Sequence, residues 1–180
     1  MKIIGISGSL RKASYNTALL RTLVSLQPPG MEIEIVGLHG IPVYDGDDEK
    51  ATGKPPAILE LDQKIRASDG VVIVTPEYNF SIPGGLKNVT DWLSRGKSPL
   101  KWKRIGIMGA SDGPLGTARV QYHLRQTLQA HEALVMPRPE IFVGNASKKF
   151  DAEGRLTDED TAERLKKWLK AFAEWVENKP

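Results

Sequence analysis

Cysteine is absent from the 180 residues of this sequence. Its absence excludes a disulfide framework, a thiolate nucleophile and a zinc site with cysteine ligands. Long apolar runs are absent as well. The N-terminal run covers only Ile3–Ile6, which is far below the ~20 residues of a membrane-spanning helix and too short for the core of a signal peptide. We therefore expect a cytoplasmic protein with no membrane partner.

Charge of one sign is also scarce. The formal net charge is +3, from 25 basic and 22 acidic residues, and no block of lysine or arginine stands out. Proteins that bind nucleic acid typically concentrate basic residues in one segment or on one face. The sequence therefore predicts no nucleic-acid partner.

Groups of metal-ligating residues are missing too. The three histidines, His39, His123 and His131, form no H-E-x-x-H motif and no i, i+4 pair. An acidic cluster lies within residues 45–49, but it lacks the spacing of a calcium loop. We interpret this cluster as a solvated turn, and we expect no metal site.

What the sequence does contain is a regular alternation of strand-like and helix-like segments. Helical spacing of apolar residues is found around residues 19–26, 57–67, 86–93 and 120–128. The clearest helix is the last one, in which Thr157 is the predicted N-cap. Its apolar stripe consists of Leu165, Trp168, Leu169, Phe172 and Val176. The five predicted strands are Lys2–Ile6, Glu32–Val36, Gly70–Thr75, Arg104–Gly109 and Ala133–Met136. Strict alternation in a chain of this size predicts a single α/β domain, residues 1–180, with a parallel sheet and helices on both faces.

Three loops follow strands 1, 3 and 4 at the carboxyl edge of this sheet, where open parallel sheets bind their ligands. They are the first loop (residues 7–16, SGSLRKASYN), the second loop (residues 76–85, PEYNFSIPGG) and the third loop (residues 110–119, ASDGPLGTAR). Because these loops are the most chemically distinctive stretches of the chain, we expect the ligand site there.

The first loop has the composition of an anion site. It leads into a helix N-terminus, which favours a negative charge, and Arg11 adds a guanidinium that suits phosphate. Ser9, Ser14 and Asn16 add short hydrogen-bonding groups. Walker and dinucleotide fingerprints are absent, which leaves a mononucleotide phosphate. The alternative is that Ser14 or Asn16 only caps the helix and that Arg11 is a solvated charge.

The second loop carries flat side chains beside an amide. Tyr78 and Phe80 present flat surfaces, and Asn79 presents hydrogen-bonding groups. This combination suits a planar heteroaromatic ligand, and Pro83 with the two glycines after it permits a close backbone approach. The alternative is a loop that its own aromatic side chains pin to the rim of the sheet.

The third loop leaves a second chemistry open. Residues 109–113 match G-x-S-x-G between a strand and a helix, which is the context of the nucleophile elbow in serine hydrolases. A triad needs a histidine within reach of Ser111. The only later histidines, His123 and His131, fall within or at the end of the next predicted helix. This alternative predicts that a fluorophosphonate probe labels Ser111.

The stretches GSLRKASYN, VIVTPEYNFSIPGGLKNVTDWLSR and GTARVQYHLRQ resemble the NADPH-dependent FMN reductase family, above all its quinone- and chromate-reducing members. The resemblance runs from Lys2 to the last helix. It implies a flavodoxin-like three-layer sandwich with strand order 2-1-3-4-5, FMN as cofactor, and NADPH, with NADH possible, as reductant. One departure is Thr117, where the family often has glycine. We expect this change to narrow the third loop without abolishing binding.

The same resemblance implies the site residues and the reaction. A hydride would pass from the nicotinamide to flavin N5, and two electrons would then reduce a quinone, chromate, an azo compound or free flavin. No side chain is expected to be catalytic, because the flavin carries the chemistry. The phosphate would be held by Ser9, Arg11, Ser14 and Asn16, the ribityl chain and ring would lie along Pro76, Glu77, Tyr78 and Asn79, and the other ring edge would be lined by Ser111, Gly113 and Gly116.

Assembly and two non-enzyme alternatives complete the expectations. The family forms homodimers and homotetramers, and Arg119, Tyr122 and Glu140 match its interface positions, although Arg119 and Tyr122 would also be ordinary as solvent-facing residues.

A flavodoxin-type electron carrier is disfavoured by the net charge of +3, because such carriers tend to be acidic and dock on basic partners. A nucleotide-free binding module would purify colourless.

Overall fold

The computed structural model of the protein describes residues 1–178, so the last two residues of the predicted domain lie outside the described part. The helices are Tyr15–Leu26 (α1), Gly46–Thr52 (α2), Pro56–Ala67 (α3), Gly84–Leu93 (α4), Ala118–Gln129 (α5) and Glu159–Glu177 (α6). The strands are Lys2–Ser7 (β1), Glu32–Val36 (β2), Gly70–Val74 (β3), Arg104–Ala110 (β4), Leu134–Val135 (β5) and Ile141–Val143 (β6). Among residues 1–178, no helix has the length and apolarity that a membrane crossing would require.

The sheet is parallel, and its order is β2-β1-β3-β4-β5. This confirms the predicted order and the α/β class. The five-strand prediction is wrong in one respect, because β6 also pairs with β4. The first two residues of β4 pair with β5 and its last three pair with β6. Pro137 and Pro139 lie between β5 and β6, and proline has no N–H for a strand ladder, so the edge strand is divided in two.

Helices cover both faces of the sheet. One apolar core joins the sheet to α1 and α6, and the other joins it to α3, α4 and α5. The predicted stripe of α6 is buried along its whole length, whereas Leu26 at the end of α1 is only partly buried. A Cβ added to Gly106 of β4 would lie 2.5 Å from the Trp168 ring, so the helix lies directly on the strand. The fold is therefore the predicted sandwich of helix, sheet and helix.

The acidic cluster in residues 45–49 is the start of a helix, and its interpretation as a turn is wrong. Asp45 is the N-cap of α2, and its Oδ1 accepts a hydrogen bond from the backbone N–H of Asp47 at 2.8 Å. Asp47, Asp48 and Glu49 fill the first turn. Carboxylates at this position are stabilised by the partial positive charge of the helix N-terminus.

Helix α6 begins one residue later than predicted, since its N-cap is Asp158 and not Thr157. The Asp158 carboxylate accepts from the backbone N–H of Thr161 at 3.0 Å and from Lys149 Nζ at 3.0 Å. Bonds from the Thr161 hydroxyl and the Lys149 ammonium lower the pKa of Asp158 to about 2. The Thr157 hydroxyl instead donates to the carbonyl of Lys149.

Candidate functional site

The three loops meet at the carboxyl edge of the sheet because β1, β3 and β4 are neighbours in register. Two adjoining cavities open there, with volumes of about 140 Å³ and about 670 Å³. They share Glu77 and Ser111 as lining residues. The smaller cavity is lined by the predicted site residues Ser9, Arg11, Ser14, Asn16, Pro76, Glu77, Tyr78 and Ser111. The larger cavity adds Asn79, Gly113 and Gly116. The structure thus brings together all the residues predicted for the site.

Ser14 is the N-cap of α1. Its Oγ accepts hydrogen bonds from the backbone N–H groups of Asn16 at 3.2 Å and Thr17 at 3.4 Å. The capping alternative therefore holds for Ser14, whose hydroxyl still has a proton to donate. This cap fixes the helix N-terminus, with its partial positive charge, at the wall of the smaller cavity.

Asn16 connects the first loop to the end of β4. Its side-chain Nδ2 donates to the carbonyl of Ala110 at 2.9 Å, and its Oδ1 accepts from the N–H of Ala110 at 2.8 Å. The side chain is buried and reaches past β3, which lies between β1 and β4 in the sheet. Asn16 thus positions the first loop through both ends of its amide, and its predicted contact with the phosphate stays a prediction.

Arg11 is the free charge of the site. It is exposed, and no acidic group in residues 1–178 pairs with its guanidinium. Ser9 lies behind it, largely buried, and accepts the Arg11 N–H at 3.3 Å. A cation, two serine hydroxyls and a helix N-terminus form a donor set that suits a phosphate group. The residues present therefore fit the phosphate of a mononucleotide.

The second loop is built around a tight reversal at Tyr78–Ser81. The N–H of Tyr78 donates to the carbonyl of Ser81 at 3.1 Å, and the N–H of Ser81 donates back to the carbonyl of Tyr78 at 2.9 Å. The two central residues, Asn79 and Phe80, have φ values of 49° and 66°, as in a type I′ turn. Phenylalanine rarely adopts this conformation. Phe80 is 66% exposed and Tyr78 is 46% exposed, so the alternative in which the loop's own aromatic side chains pin it to the sheet rim is wrong.

Glu77 joins the second loop to α5. Its carboxylate accepts from the backbone N–H groups of Arg119 at 3.0 Å and Val120 at 3.1 Å, and from Arg119 Nε at 2.6 Å. The N-cap residue of α5, Thr117, makes no capping bond with its own side chain. Glu77 therefore supplies the cap from another loop, while the Arg119 guanidinium also stacks on the Phe80 ring, 3.8 Å from its centroid.

The third loop rests on β6 and the residues after it. Gly116 has a φ of 62°, and a Cβ there would lie 3.0 Å from the backbone of Phe142 and Val143. A Cβ on Gly144 would lie 2.5 Å from the carbonyl oxygen of Pro114. Since both contacts are with backbone, neither partner can give way easily. The strand that the sequence did not reveal is thus the support of the third loop.

Thr117 lines neither cavity. It is fully buried, and its Oγ1 is hydrogen-bonded by Gln121 Nε2 at 3.0 Å. A Cβ on Gly109 would lie 2.3 Å from the same Oγ1, which shows how closely the threonine packs on β4. Thr117 therefore packs into the core, and its effect on the width of the third loop stays a prediction.

The geometry does not provide a serine-hydrolase triad. Ser111 Oγ donates to the carbonyl of Gly116. His123 Nδ1 lies 3.0 Å from Ser81 Oγ, and His131 Nδ1 lies 2.8 Å from Ser98 Oγ. In the described part of the chain no histidine bonds to Ser111, and burial lowers the pKa of His131. Ser111 thus has no general base beside it.

Some lining residues were outside the predicted set. The smaller cavity is also lined by Tyr15, Ala110 and Asp112, and the larger one by Phe80, Pro114, Leu115 and Arg119. All of them lie within the three loops, so loop position was the signal that could have found them.

Of the predicted interface residues, Tyr122 is 59% exposed, and the Oε1 atom of Glu140 lies 3.9 Å from Nη2 of Arg125. The interface itself stays a prediction.

A doubly wound parallel sheet with a cationic loop and an aromatic loop at its carboxyl edge defines a mononucleotide-binding protein of flavodoxin-like fold. Residues 1–148 match the family of NADPH-dependent FMN reductases. An NAD(P)H-dependent FMN reductase of Pseudomonas aeruginosa is 46% identical over 177 residues, which are 98% of this chain and 95% of that protein. A quinone reductase of Escherichia coli is 43% identical over 180 residues, with 98% and 96% covered.

A solved structure agrees with these sequence relatives. The flavoenzyme NAD(P)H:(acceptor) oxidoreductase FerB of Paracoccus denitrificans matches with a TM-score of 0.88 and 33% identity, covering 98% of this chain and 97% of that one. The chain belongs to the NADPH-dependent FMN reductase family, as the resemblance of its loops predicted. It is an oxidoreductase whose cofactors are FMN and NAD(P)H.

Proposed function

We propose that this protein reduces quinones by two electrons, with NAD(P)H as reductant and FMN bound at the three loops. The observation that carries the proposal is the pair of adjoining cavities. Arg11, which has no carboxylate partner in residues 1–178, lines the smaller cavity, and the larger cavity beside it has a volume of about 670 Å³. Relatives named as quinone reductases support the choice of acceptor.

At the phosphate end, Arg11 and the hydroxyls of Ser9 and Ser14 bind the phosphate. Arg11 makes the charged contact, because its guanidinium has no other acidic partner in residues 1–178. Asn16 acts by position, since its amide is engaged with Ala110 on both sides. The second N–H of its Nδ2 remains available to donate to the phosphate.

At the ring end, the flavin would be held by two groups of residues. Pro76, Tyr78 and Asn79 would contact one edge, and Ser111, Gly113 and Gly116 would contact the other. Glu77 orients the second loop against α5 through the three donors that bond to its carboxylate. When bound, FMN supplies the N5 atom that takes the hydride and the two electrons that reduce the acceptor. The larger cavity holds the nicotinamide and the quinone in turn.

The direct test is a visible spectrum of the purified protein followed by anaerobic titration. We expect a yellow protein that releases FMN and not FAD, is bleached by NADPH or NADH, and is reoxidised by one equivalent of a benzoquinone. Release of FAD, or no flavin affinity after reconstitution, ends the proposal. An electron carrier would accumulate a one-electron state without oxidising NAD(P)H by itself, and a serine hydrolase would be labelled at Ser111 by a fluorophosphonate.

The range of acceptors and the assembly are proposed in the same way. Chromate, azo compounds and free flavin are further acceptors that the same reduced flavin could serve, and each is tested by its rate relative to a quinone. A homodimer or homotetramer formed through Arg119, Tyr122 and Glu140 is supported by the large exposed fraction of Tyr122. A stable monomer in light scattering at micromolar concentration would contradict it. The cytoplasmic location stays a prediction.

A further inference from the structure

A third cavity, here called the α1 cleft, lies beside the smaller one. It has a volume of about 490 Å³ and runs between the N-terminal half of α1 and the turn at residues 151–154. The turn packs closely on the helix, since a Cβ on Gly154 would lie 3.6 Å from the Cβ of Ala18. The α1 cleft shares Arg11, Ser14 and Tyr15 with the smaller cavity. The α1 cleft thus adjoins the residues assigned to the FMN phosphate.

Three cations line the α1 cleft, namely Arg11, Lys12 and Arg21. All three are exposed, and none is paired with a carboxylate in residues 1–178. Arg21 follows Ser14 by seven residues, so it stands two helical turns along the same face of α1. The helix N-terminus at Ser14 adds its partial positive charge to this wall.

The opposite wall is acidic, but its carboxylates are already engaged. Arg155 Nε donates to Asp151 Oδ2 at 2.7 Å, and Arg155 Nη2 donates to Glu153 Oε2 at 3.1 Å. Asp151 Oδ1 also accepts the backbone N–H groups of Glu153 and Arg155. The unmatched charge of the α1 cleft is therefore positive.

Two other cations near the site have partners. Lys87, at the start of α4, pairs with Asp91, and Arg119 pairs with Glu77. Because Arg11 is assigned to the FMN phosphate, Lys12 and Arg21 remain for a second phosphate group. NADPH carries a 2′-phosphate that NADH lacks, and arginine is the residue that accommodates this group in other nucleotide-binding folds. Because FMN is assigned to the smaller cavity, a dinucleotide with its nicotinamide in the larger cavity would reach the α1 cleft across the outer side of the bound FMN, where Arg11, Ser14 and Tyr15 border both the smaller cavity and the cleft.

We propose that the α1 cleft binds the 2′-phosphate of NADPH through Arg21 and Lys12, and so gives the enzyme a preference for NADPH over NADH. The inference rests on the proposed function, because it requires a nicotinamide dinucleotide as reductant. It adds two residues and a coenzyme preference that the three loops alone do not specify.

The test compares Arg21→Ala, Lys12→Ala and Arg21→Lys with a control, Lys170→Ala, which removes an exposed cation from the middle of α6. Loss of one charge-assisted contact should raise KM for NADPH by about tenfold in each alanine variant. KM for NADH, both kcat values and the Kd of FMN should stay within about twofold of the parent protein in the same assays. Arg21→Lys should keep part of the preference, and the control should keep all of it.

A binding measurement gives a readout independent of turnover. Calorimetric titration of the FMN-loaded protein with 2′,5′-ADP should show the same loss of about tenfold in affinity for Arg21→Ala, while 5′-AMP should bind both proteins equally. Equal changes for NADPH and NADH, or no change for either, overturn the proposal. A rise in the Kd of FMN assigns the α1 cleft to the flavin phosphate and overturns it as well.

Two further outcomes distinguish a site for free phosphate from a site for NADPH, and failure of this proposal from failure of the proposed function. If Arg21→Ala loses affinity for inorganic phosphate but keeps its KM for NADPH, the α1 cleft is a site for free phosphate and the proposal is wrong. Failure of the proposed function looks different, because the parent protein would then bind no FMN or oxidise neither coenzyme.

Discussion

Replacement of Glu77 by alanine tests whether one carboxylate holds the second and third loops together. The side chain is 6% exposed and receives three hydrogen bonds at the start of α5. Alanine removes all three acceptor contacts and leaves two backbone N–H groups of α5 without a capping partner. The third loop, which precedes α5, should lose its fixed position along with the helix end.

The expected cost is the sum of three effects. Loss of a helix cap costs ~1 kcal/mol, and loss of a carboxylate at a helix N-terminus costs about 0.3–1 kcal/mol. The ion pair adds little, because the Arg119 side chain is 47% exposed and exposed pairs contribute about 0–1 kcal/mol. We expect the free energy of unfolding to fall by about 2 kcal/mol, which corresponds to a fall of about 4–8 °C in Tm for a chain of this size.

Urea denaturation of the flavin-free protein measures this change without the stabilisation that a bound ligand adds. Arg119→Leu is the matched control, because it removes the ion pair and the guanidinium stack on Phe80 and leaves both backbone caps on Glu77. It should cost less than ~1 kcal/mol. If Glu77→Ala costs under about 0.5 kcal/mol, or if Arg119→Leu costs as much as Glu77→Ala, the capping role is refuted.

Three further predictions use other parts of the structure. Arg11→Ala should weaken FMN binding by about one to two orders of magnitude, since a charge-assisted contact with a phosphate contributes roughly 1.5–3 kcal/mol, whereas fluorescence titration with riboflavin, which has no phosphate, should show no change. Gly144→Ala should lower the free energy of unfolding by about 1–3 kcal/mol and weaken FMN binding, because its Cβ would meet the Pro114 carbonyl at 2.5 Å; Gly84→Ala, with nothing within 4 Å of its Cβ, is the control and should be neutral by thermal unfolding. The Asp158 carboxyl has a pKa of about 2 in the folded protein and an ordinary value of 3.8, so its contribution to stability is present above pH ~4 and is lost as pH falls from about 4 to about 2; urea denaturation of Asp158→Asn should show a weaker pH dependence in that window, and an unchanged one would contradict the role of the cap.

The sheet was predictable because its signals are local. The run of apolar residues in β3 and the helical spacing of the α6 stripe depend on neighbours within a few positions. The split of the last strand was not predictable in the same way, since β6 has only three residues and is specified by pairing with β4. Helix α2 was missed because its seven residues bury no apolar stripe, so its acidic first turn looked like a loop.

The residues that form the site were predictable from the sequence, but their individual roles were not. The loops were found because they follow the ends of buried strands and carry unusual residue types. Asn16 and Glu77, however, act through hydrogen bonds to residues 94 and 42 positions away, and contacts at such separation leave no mark on local sequence spacing. For Ser14 the sequence predicts either a cap or a ligand, and only the geometry shows the capping bonds.

The loops that meet at the carboxyl edge are tied in pairs, the first to the third by Asn16 and Ala110 and the second to the third by Glu77 and α5. No loop of this edge is therefore an independent module. If one loop is replaced by the loop of a relative, only one partner of each hydrogen-bonded pair is exchanged. The residue that remains in the host then loses its partner. Insertions and exchanges at this edge should be tolerated only when both partners of a tie are transferred together, so the third loop, which takes part in both ties, constrains how far the other two can diverge.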